Sequence, residues 1–243
     1  MKPLRFRGHT VPLHNFTLDN DGLTLSLRAS PADKTKRTVS GGPLPGTYVF
    51  HHALFHWGSG PGHGSEHRID GVAYPMESQL VYTNQKYAAA NATTKEDGLA
   101  IIATLYRLTF VNFDSVKTVR GILAALEGNA TRARRRLLPW MVRRVVSRRG
   151  SSDANAPLPP RLDKLMPPVA RHEFFTYRGS LTTPPCTESV RWTVFHRPAF
   201  VSEAVLTGFR RLQGRPGRGP LVDNFRPPQK LYGRKIFSSF PPF

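Results

Sequence analysis

The stretch Phe50-His51-His52-Ala53-Leu54-Phe55-His56-Trp57-Gly58-Ser59 decides how the rest of the chain is interpreted. It predicts a β-strand, and because strand side chains alternate between two faces, His52, Leu54 and His56 share one face. A zinc site on a strand uses histidines at i and i+2 with a third from the neighbouring strand. The i+2 partner of His56 is Leu54, which has no lone pair. His52 lies roughly 13 Å away along an extended strand, too far for one ion with bonds of about 2 Å.

The sequence around this strand predicts a mostly β protein. The chain has 243 residues with 22 prolines and 20 glycines, which favours many loops and short strands over a helix bundle. The predicted strands cover residues 23–27, 47–57, 77–82, 99–106, 174–177 and 189–195. Helical periodicity covers residues 115–126, and residues 202–212 predict a second helix with Ser202 as its N-cap.

Composition limits the class of protein. No run of about 18 apolar residues is present, so no membrane span is expected. The N-terminus lacks the apolar core of a signal peptide, and Cys186 is the single cysteine of the chain. Sequons at Asn15, Asn91 and Asn129 matter only if the protein is secreted, so the localisation stays open.

A strongly basic segment interrupts the β pattern from about residue 128 to 168, where an irregular insert is predicted. Residues 137–146 within it predict a short basic amphipathic helix. The net charge of +19 favours anionic partners, but a solvated basic loop is the simpler interpretation. The candidate polyanion-binding residues are Arg132, Arg134, Arg135, Arg136, Arg143, Arg144, Arg148 and Arg149.

Several motifs occur in a fixed order along the chain. They are Gly41-Gly42-Pro43-Leu44, Leu54-Phe55-His56-Trp57-Gly58, Gly64-Ser65-Glu66-His67, Glu77-Ser78-Gln79-Leu80-Val81, Tyr177-Arg178-Gly179-Ser180-Leu181-Thr182-Thr183-Pro184-Pro185 and Asn224-Phe225-Arg226-Pro227. Together they resemble the α-carbonic anhydrase family, most closely its acatalytic carbonic anhydrase-related proteins. The resemblance implies one domain over residues 1–243, with a mixed sheet of about ten strands and peripheral helices. It also implies that the N-terminal part of the family pattern is missing, and with it the usual partner of Cys186.

The resemblance also assigns the site. The three zinc-ligand positions fall on Leu54, His56 and Gln79, so only His56 is a retained ligand. Thr182 and Glu66 match a hydroxyl–carboxylate relay, and Glu77 matches the carboxylate that orients the third ligand. Leu23 occupies the position of the proton shuttle. The substrate-pocket positions fall on Val81, Ile101, Leu181, Thr183, Val190 and Trp192.

These positions predict a degenerate zinc site. One histidine beside a leucine and a neutral amide is a poor donor set for zinc, and without the metal the family's nucleophile is not formed. We therefore expect a protein without cofactor that does not hydrate CO₂ and serves as a binding module for an unknown protein partner. The alternatives are an active zinc enzyme, which needs a replacement ligand such as His52 or His63, and a polyanion-binding protein.

Overall fold

A computed structural model describes residues 1–133, 143–147, 159–169 and 171–241 of the chain. For residues 127–133 and 143–147 it describes the backbone only. Twelve strands in the described ranges form one sheet. The strands are β1 Leu4–Arg7, β2 Phe16–Asn20, β3 Leu25–Ala29, β4 Thr38–Gly41, β5 Tyr48–Trp57, β6 Met76–Asn84, β7 Leu99–Leu108, β8 Arg143–Ser147, β9 Phe174–Gly179, β10 Val190–Phe195, β11 Ala199–Val201 and β12 Phe237–Ser238. The helices are α1 Asp114–Ala133 and α2 Glu203–Arg210, with short 3-10 turns at Ala89–Thr94 and Leu162–Lys164.

The sheet is mixed. Its main path runs β12-β9-β10-β7-β6-β5-β3-β2-β8. The neighbours β5, β6 and β7 are antiparallel, whereas β7 and β10 are parallel. The predicted mostly β fold with a mixed sheet and few helices is therefore confirmed, with twelve strands in the described ranges instead of about ten.

The two faces of the sheet carry two apolar clusters. On β5, Phe55 and Trp57 belong to the larger cluster, which also buries α1 and α2, while Leu54 packs on the smaller one. The same alternation on β7 sends Ile102 to the larger cluster and Ile101 to the smaller. Because side chains alternate along a strand, the smaller cluster lies on the face that carries the candidate site.

Both predicted helices are present. Helix α2 begins after Ser202, whose side-chain oxygen accepts a hydrogen bond from the backbone N–H of Val205 at 3.4 Å, as predicted for an N-cap. Helix α1 continues to Ala133, seven residues beyond the predicted end at 126, although the apolar pattern stops there and Gly128 follows.

The predicted irregular insert needs a correction. Besides the end of α1, residues Arg143–Ser147 form strand β8, antiparallel to β2, and Leu162–Lys164 form a 3-10 turn. The predicted helix at 137–146 is therefore wrong for residues 143–146. β-branched Val145 and Val146 favour a strand, and the open edge of β2 supplies the backbone partners. Residues 137–142 lie outside the described ranges, as do Arg134, Arg135, Arg136, Arg148 and Arg149.

Candidate functional site

The register of β5 and β6 brings the three predicted ligand positions together. Leu54 lies opposite Gln79, and His56 lies opposite Glu77. His56, Glu77 and Gln79 are buried, while Leu54 is half-buried. A β-bulge shifts the register between Phe50 and His52, before the site begins.

His56 is held in the orientation of a metal ligand. Its Nδ1 lies 2.8 Å from the backbone carbonyl of Asn224, and because a carbonyl only accepts, Nδ1 carries the proton. The lone pair is therefore on Nε2, which is buried, has no hydrogen-bond partner among the described residues and lies 3.8 Å from Glu66 Oε2. A carbonyl that fixes the tautomer of a histidine is typical of metal sites.

Asn224 fastens this part of β5 to the C-terminal segment. Its side-chain oxygen accepts from the N–H of Trp57 at 2.8 Å, and its side-chain nitrogen donates to the carbonyl of Phe55 at 3.0 Å. The positioning of His56 therefore depends on a residue 168 positions away in the sequence.

Gln79 uses its amide as a donor. Its Nε2 donates to Glu66 Oε2 at 2.7 Å and to Glu77 Oε1 at 2.9 Å. Both N–H bonds of the amide are thus directed at carboxylates. The side chain therefore bridges the carboxylates of Glu66 and Glu77.

Glu77 is the centre of the buried polar network. Its Oε2 accepts from the N–H groups of Glu66 and His67, both at 2.9 Å, and its Oε1 also accepts from His67 Nδ1 at 2.8 Å. Burial raises the pKa of Glu77, but the charge and hydrogen bonds of His67 outweigh that effect and hold the pKa well below its usual value. For His67, burial alone lowers the pKa. The charge and hydrogen bond of Glu77 outweigh this effect, so the pKa of His67 lies above its usual value.

The partners of Glu66 come from two elements. Besides Gln79, the N–H of Arg226 donates to Glu66 Oε1 at 2.9 Å. Thr182 is half-buried and forms no hydrogen bond with Glu66 in the part of the chain that the structure describes. The relay assigned to Thr182 and Glu66 stays a prediction.

The predicted substrate-pocket residues gather in one place. Val81, Ile101, Val190 and Trp192 are buried in the smaller apolar cluster, against which Leu181 and Leu54 pack. Thr183 is exposed. Trp192 also donates to the carbonyl of Ser180 at 3.0 Å, which fixes the segment that carries Leu181, Thr182 and Thr183.

The remaining histidines do not complete a metal site. His63 pairs with Asp223 and Ser59 at the surface. His51 and His52 face each other, and burial, with Arg28 nearby, lowers the pKa of His52 to about 3. Within the described ranges no group of three or more His, Cys, Asp or Glu side chains is arranged to hold a metal ion. Leu23, at the predicted shuttle position, is an exposed turn residue.

We compared the chain with known proteins. The family described as eukaryotic-type carbonic anhydrase matches residues 1–240. Carbonic anhydrase 7 of Mus musculus is 34% identical over 93% of this chain and 78% of its own length. Mitochondrial carbonic anhydrase 5A of Rattus norvegicus is 38% identical over 83% of this chain and 60% of its own length, and carbonic anhydrase 15 of Mus musculus is 34% identical over 98% and 70%.

The fold and the site thus define a protein with a large mixed sheet, on one face of which a strand-borne histidine meets a buried carboxylate network. The chain belongs to the eukaryotic-type carbonic anhydrase family.

Proposed function

We propose that this family member does not hold zinc, does not hydrate CO₂, and serves as a binding module. The observation that carries this proposal is the amide of Gln79, whose two N–H groups are engaged by Glu66 and Glu77 at 2.7 and 2.9 Å. The amide nitrogen has no lone pair for a metal, and the amide oxygen is a neutral, poor ligand for zinc.

The donor set does not fit zinc. His56 fits, because its buried Nε2 lone pair accepts no hydrogen bond from any described residue. Leu54 offers no donor atom, and it packs on the apolar cluster beside Val81 and Trp192. Gln79 offers only a neutral amide oxygen, which is a poor ligand for zinc beside imidazole. His56 alone is not a sufficient donor set, since structural and catalytic zinc sites use three or four protein ligands.

The competing proposal is an active zinc enzyme, and it draws on the names of the relatives, which are carbonic anhydrases. It requires two more zinc ligands besides His56, either from the described residues or from the rest of the chain. In the described ranges, His63 is engaged by Asp223, and the ring nitrogens of His51 and His52 face each other. These contacts favour a site that does not bind zinc.

Metal analysis of the purified chain tests the proposal. After equilibration with a slight excess of zinc and desalting, we expect well under one zinc per chain by inductively coupled plasma mass spectrometry. Stopped-flow CO₂ hydration is expected at the uncatalysed rate. One zinc per chain together with hydration above that rate refutes the proposal.

A double variant supplies the control. Leu54→His with Gln79→His restores two imidazoles on the face that carries His56, while Asn224 still orients His56. We expect stoichiometric zinc in this variant, because three histidines are a sufficient ligand set. The comparison separates a missing ligand set from a distorted scaffold. If the variant also fails to bind zinc, the two replaced ligands are not the only cause, and the scaffold is distorted as well.

The predicted polyanion binding through the arginines of 132–149 stays a prediction. In the structure only the backbone of Arg132, Arg143 and Arg144 is described, with Arg143 and Arg144 in β8. Heparin affinity that falls with salt and disappears when 134–142 and 148–158 are deleted supports it.

A further inference from the structure

A segment near the C-terminus combines positive charge with exposed apolar side chains. We define this segment as residues 226–237. It contains Arg226, Lys230, Arg234 and Lys235, and no acidic residue occurs from position 224 to the end of the chain. Its exposed apolar side chains are Leu231 (50% exposed), Tyr232 (83%), Ile236 (49%) and Phe237 (53%). Four large apolar side chains within seven positions exceed the scattered exposure that is normal for a protein surface.

The most exposed of these residues occupies an unfavourable backbone conformation. Residues 231–234 form a tight turn in which the N–H of Arg234 donates to the carbonyl of Leu231 at 2.9 Å. The two central residues, Tyr232 and Gly233, have φ of 47° and 79°. Glycine and asparagine adopt such angles readily, whereas a bulky aromatic residue does so with strain. An aromatic side chain in this position therefore points to a role of the side chain itself.

The turn is rigid and projects into solvent. The guanidinium of Arg234 donates to the carbonyls of Leu231 at 2.9 Å and Lys230 at 2.6 Å, and it lies 5.8 Å from the centre of the Tyr177 ring. Beyond the turn, Phe237–Ser238 pairs with β9. A Cβ added at Gly233 meets no atom of the described residues within 4 Å. The segment is thus fixed to the sheet while its tip stays open.

We propose that residues 226–237 bind the surface of a membrane that contains anionic lipid. Tyr232 and the neighbouring Leu231 and Ile236 enter the headgroup region, and Lys230 and Lys235 contact the acidic headgroups. Basic residues beside apolar and aromatic side chains are the composition of interfacial membrane contacts. In the described part of the chain no helix is long and apolar enough to cross a membrane, and this contact requires none.

The aliphatic residues favour lipid over nucleic acid. Single-stranded nucleic acid is bound by a basic groove and by aromatic rings on which bases stack. Tyr232 and Phe237 suit that use, but Leu231 and Ile236 provide neither stacking nor hydrogen bonds. Exposed aliphatic side chains gain free energy only where apolar surface is available, which a bilayer offers and a polyanion does not.

Two charge-matched variants of the 243-residue chain test the electrostatic part. The probe is vesicles of phosphatidylcholine with about 30% phosphatidylserine, compared with phosphatidylcholine alone, in a co-sedimentation assay. Lys230→Ala with Lys235→Ala is expected to weaken binding about 25-fold, since each basic residue near the surface contributes roughly fivefold. Arg215→Ala with Arg218→Ala removes the same charge from the hairpin closed by Gly214 and Gly219 and is expected to change binding less than threefold, because this hairpin is outside the proposed contact. An equal loss in both variants overturns the proposal, because it reports net charge alone.

Tyr232→Asn tests the apolar part and separates function from structure. Asparagine suits the positive φ of this position, so the thermal midpoint is expected to stay the same or rise. Vesicle binding is expected to fall roughly tenfold, the value for removing about 50 Å² of apolar contact. Unchanged vesicle binding by this variant overturns the proposal. So does heparin or single-stranded DNA binding through Lys230 and Lys235 without vesicle binding, which assigns the segment to a polyanion.

Discussion

Replacing Gln79 by leucine tests whether the amide bridge stabilises the protein. The variant removes two hydrogen bonds to carboxylates, those to Glu66 Oε2 at 2.7 Å and to Glu77 Oε1 at 2.9 Å. Each contributes about 1.5–3 kcal/mol, and leucine returns about 1–2 kcal/mol because it is apolar and buried. We therefore expect the free energy of unfolding to fall by about 2–4 kcal/mol.

Urea unfolding followed by tryptophan fluorescence measures this change, since Trp57 and Trp192 are buried on opposite faces of the sheet. Ser78→Ala is the matched control: the neighbouring buried hydroxyl has a neutral partner, Tyr106 Oη, at 3.0 Å. Its loss is expected to cost about 1 kcal/mol. If Gln79→Leu destabilises the protein no more than Ser78→Ala, the carboxylates do not need the amide and the reasoning fails.

In the absence of zinc, the free energy of unfolding of Gln79→His is expected to lie between those of Gln79→Leu and Ser78→Ala. A neutral imidazole carries one N–H instead of two, so one carboxylate loses its donor. The same measurement in EDTA is expected to leave the wild-type free energy of unfolding unchanged, because no described group of ligands holds a metal.

Three further predictions concern residues outside the amide bridge. Burial lowers the pKa of His9 to about 4, so the unfolded chain binds the extra proton between pH 6.5 and 4. The free energy of unfolding then falls by about 1.4 kcal/mol per pH unit as the pH decreases through this range. His9→Gln is expected to flatten that part of a urea-unfolding series, and an unchanged slope contradicts the assignment. Gly64 has φ of 149°, and an added Cβ lies 2.1 Å from the carbonyl oxygen of Pro75. Gly64→Ala is therefore expected to lower the free energy of unfolding by more than about 3 kcal/mol in the same assay. Wild-type stability of this variant would contradict the prediction. Ser202→Ala removes the N-cap of α2 and is expected to cost about 1 kcal/mol, whereas Ser202→Gly costs a few tenths; equal effects of the two variants contradict a capping role.

Much of the site follows from strand periodicity. Leu54 lacks a lone pair in any fold, and the two-residue spacing from His56 places both side chains on one face wherever the strand lies. Six strands, β3, β5, β6, β7, β9 and β10, lie within a few residues of the predicted bounds, because their apolar residues are numerous and their turns contain proline and glycine. These properties are local, so no contact with a distant residue is needed to infer them.

The ends of elements were less predictable. Arg143–Ser147 form a strand only because the edge of β2 is available to pair with them, and a strand edge is created by the arrangement of the whole sheet. Helix α1 continues through Gly128, where the sequence pattern suggested a loop. Propensity is a weak guide at such places, since tertiary contacts add terms of similar size.

The sequence by itself determined that Leu54 and Gln79 carry no imidazole, since the identity of a side chain fixes which donor atoms it has. Only the tertiary structure decided how the polar side chains around them are oriented. The direction of the Gln79 amide depends on the carboxylates of Glu66 and Glu77, which a loop and a strand bring to it, and the tautomer of His56 depends on the carbonyl of Asn224. Hydrogen bonds between residues far apart in the sequence require the folded chain, because an amide or an imidazole takes its orientation from its neighbours.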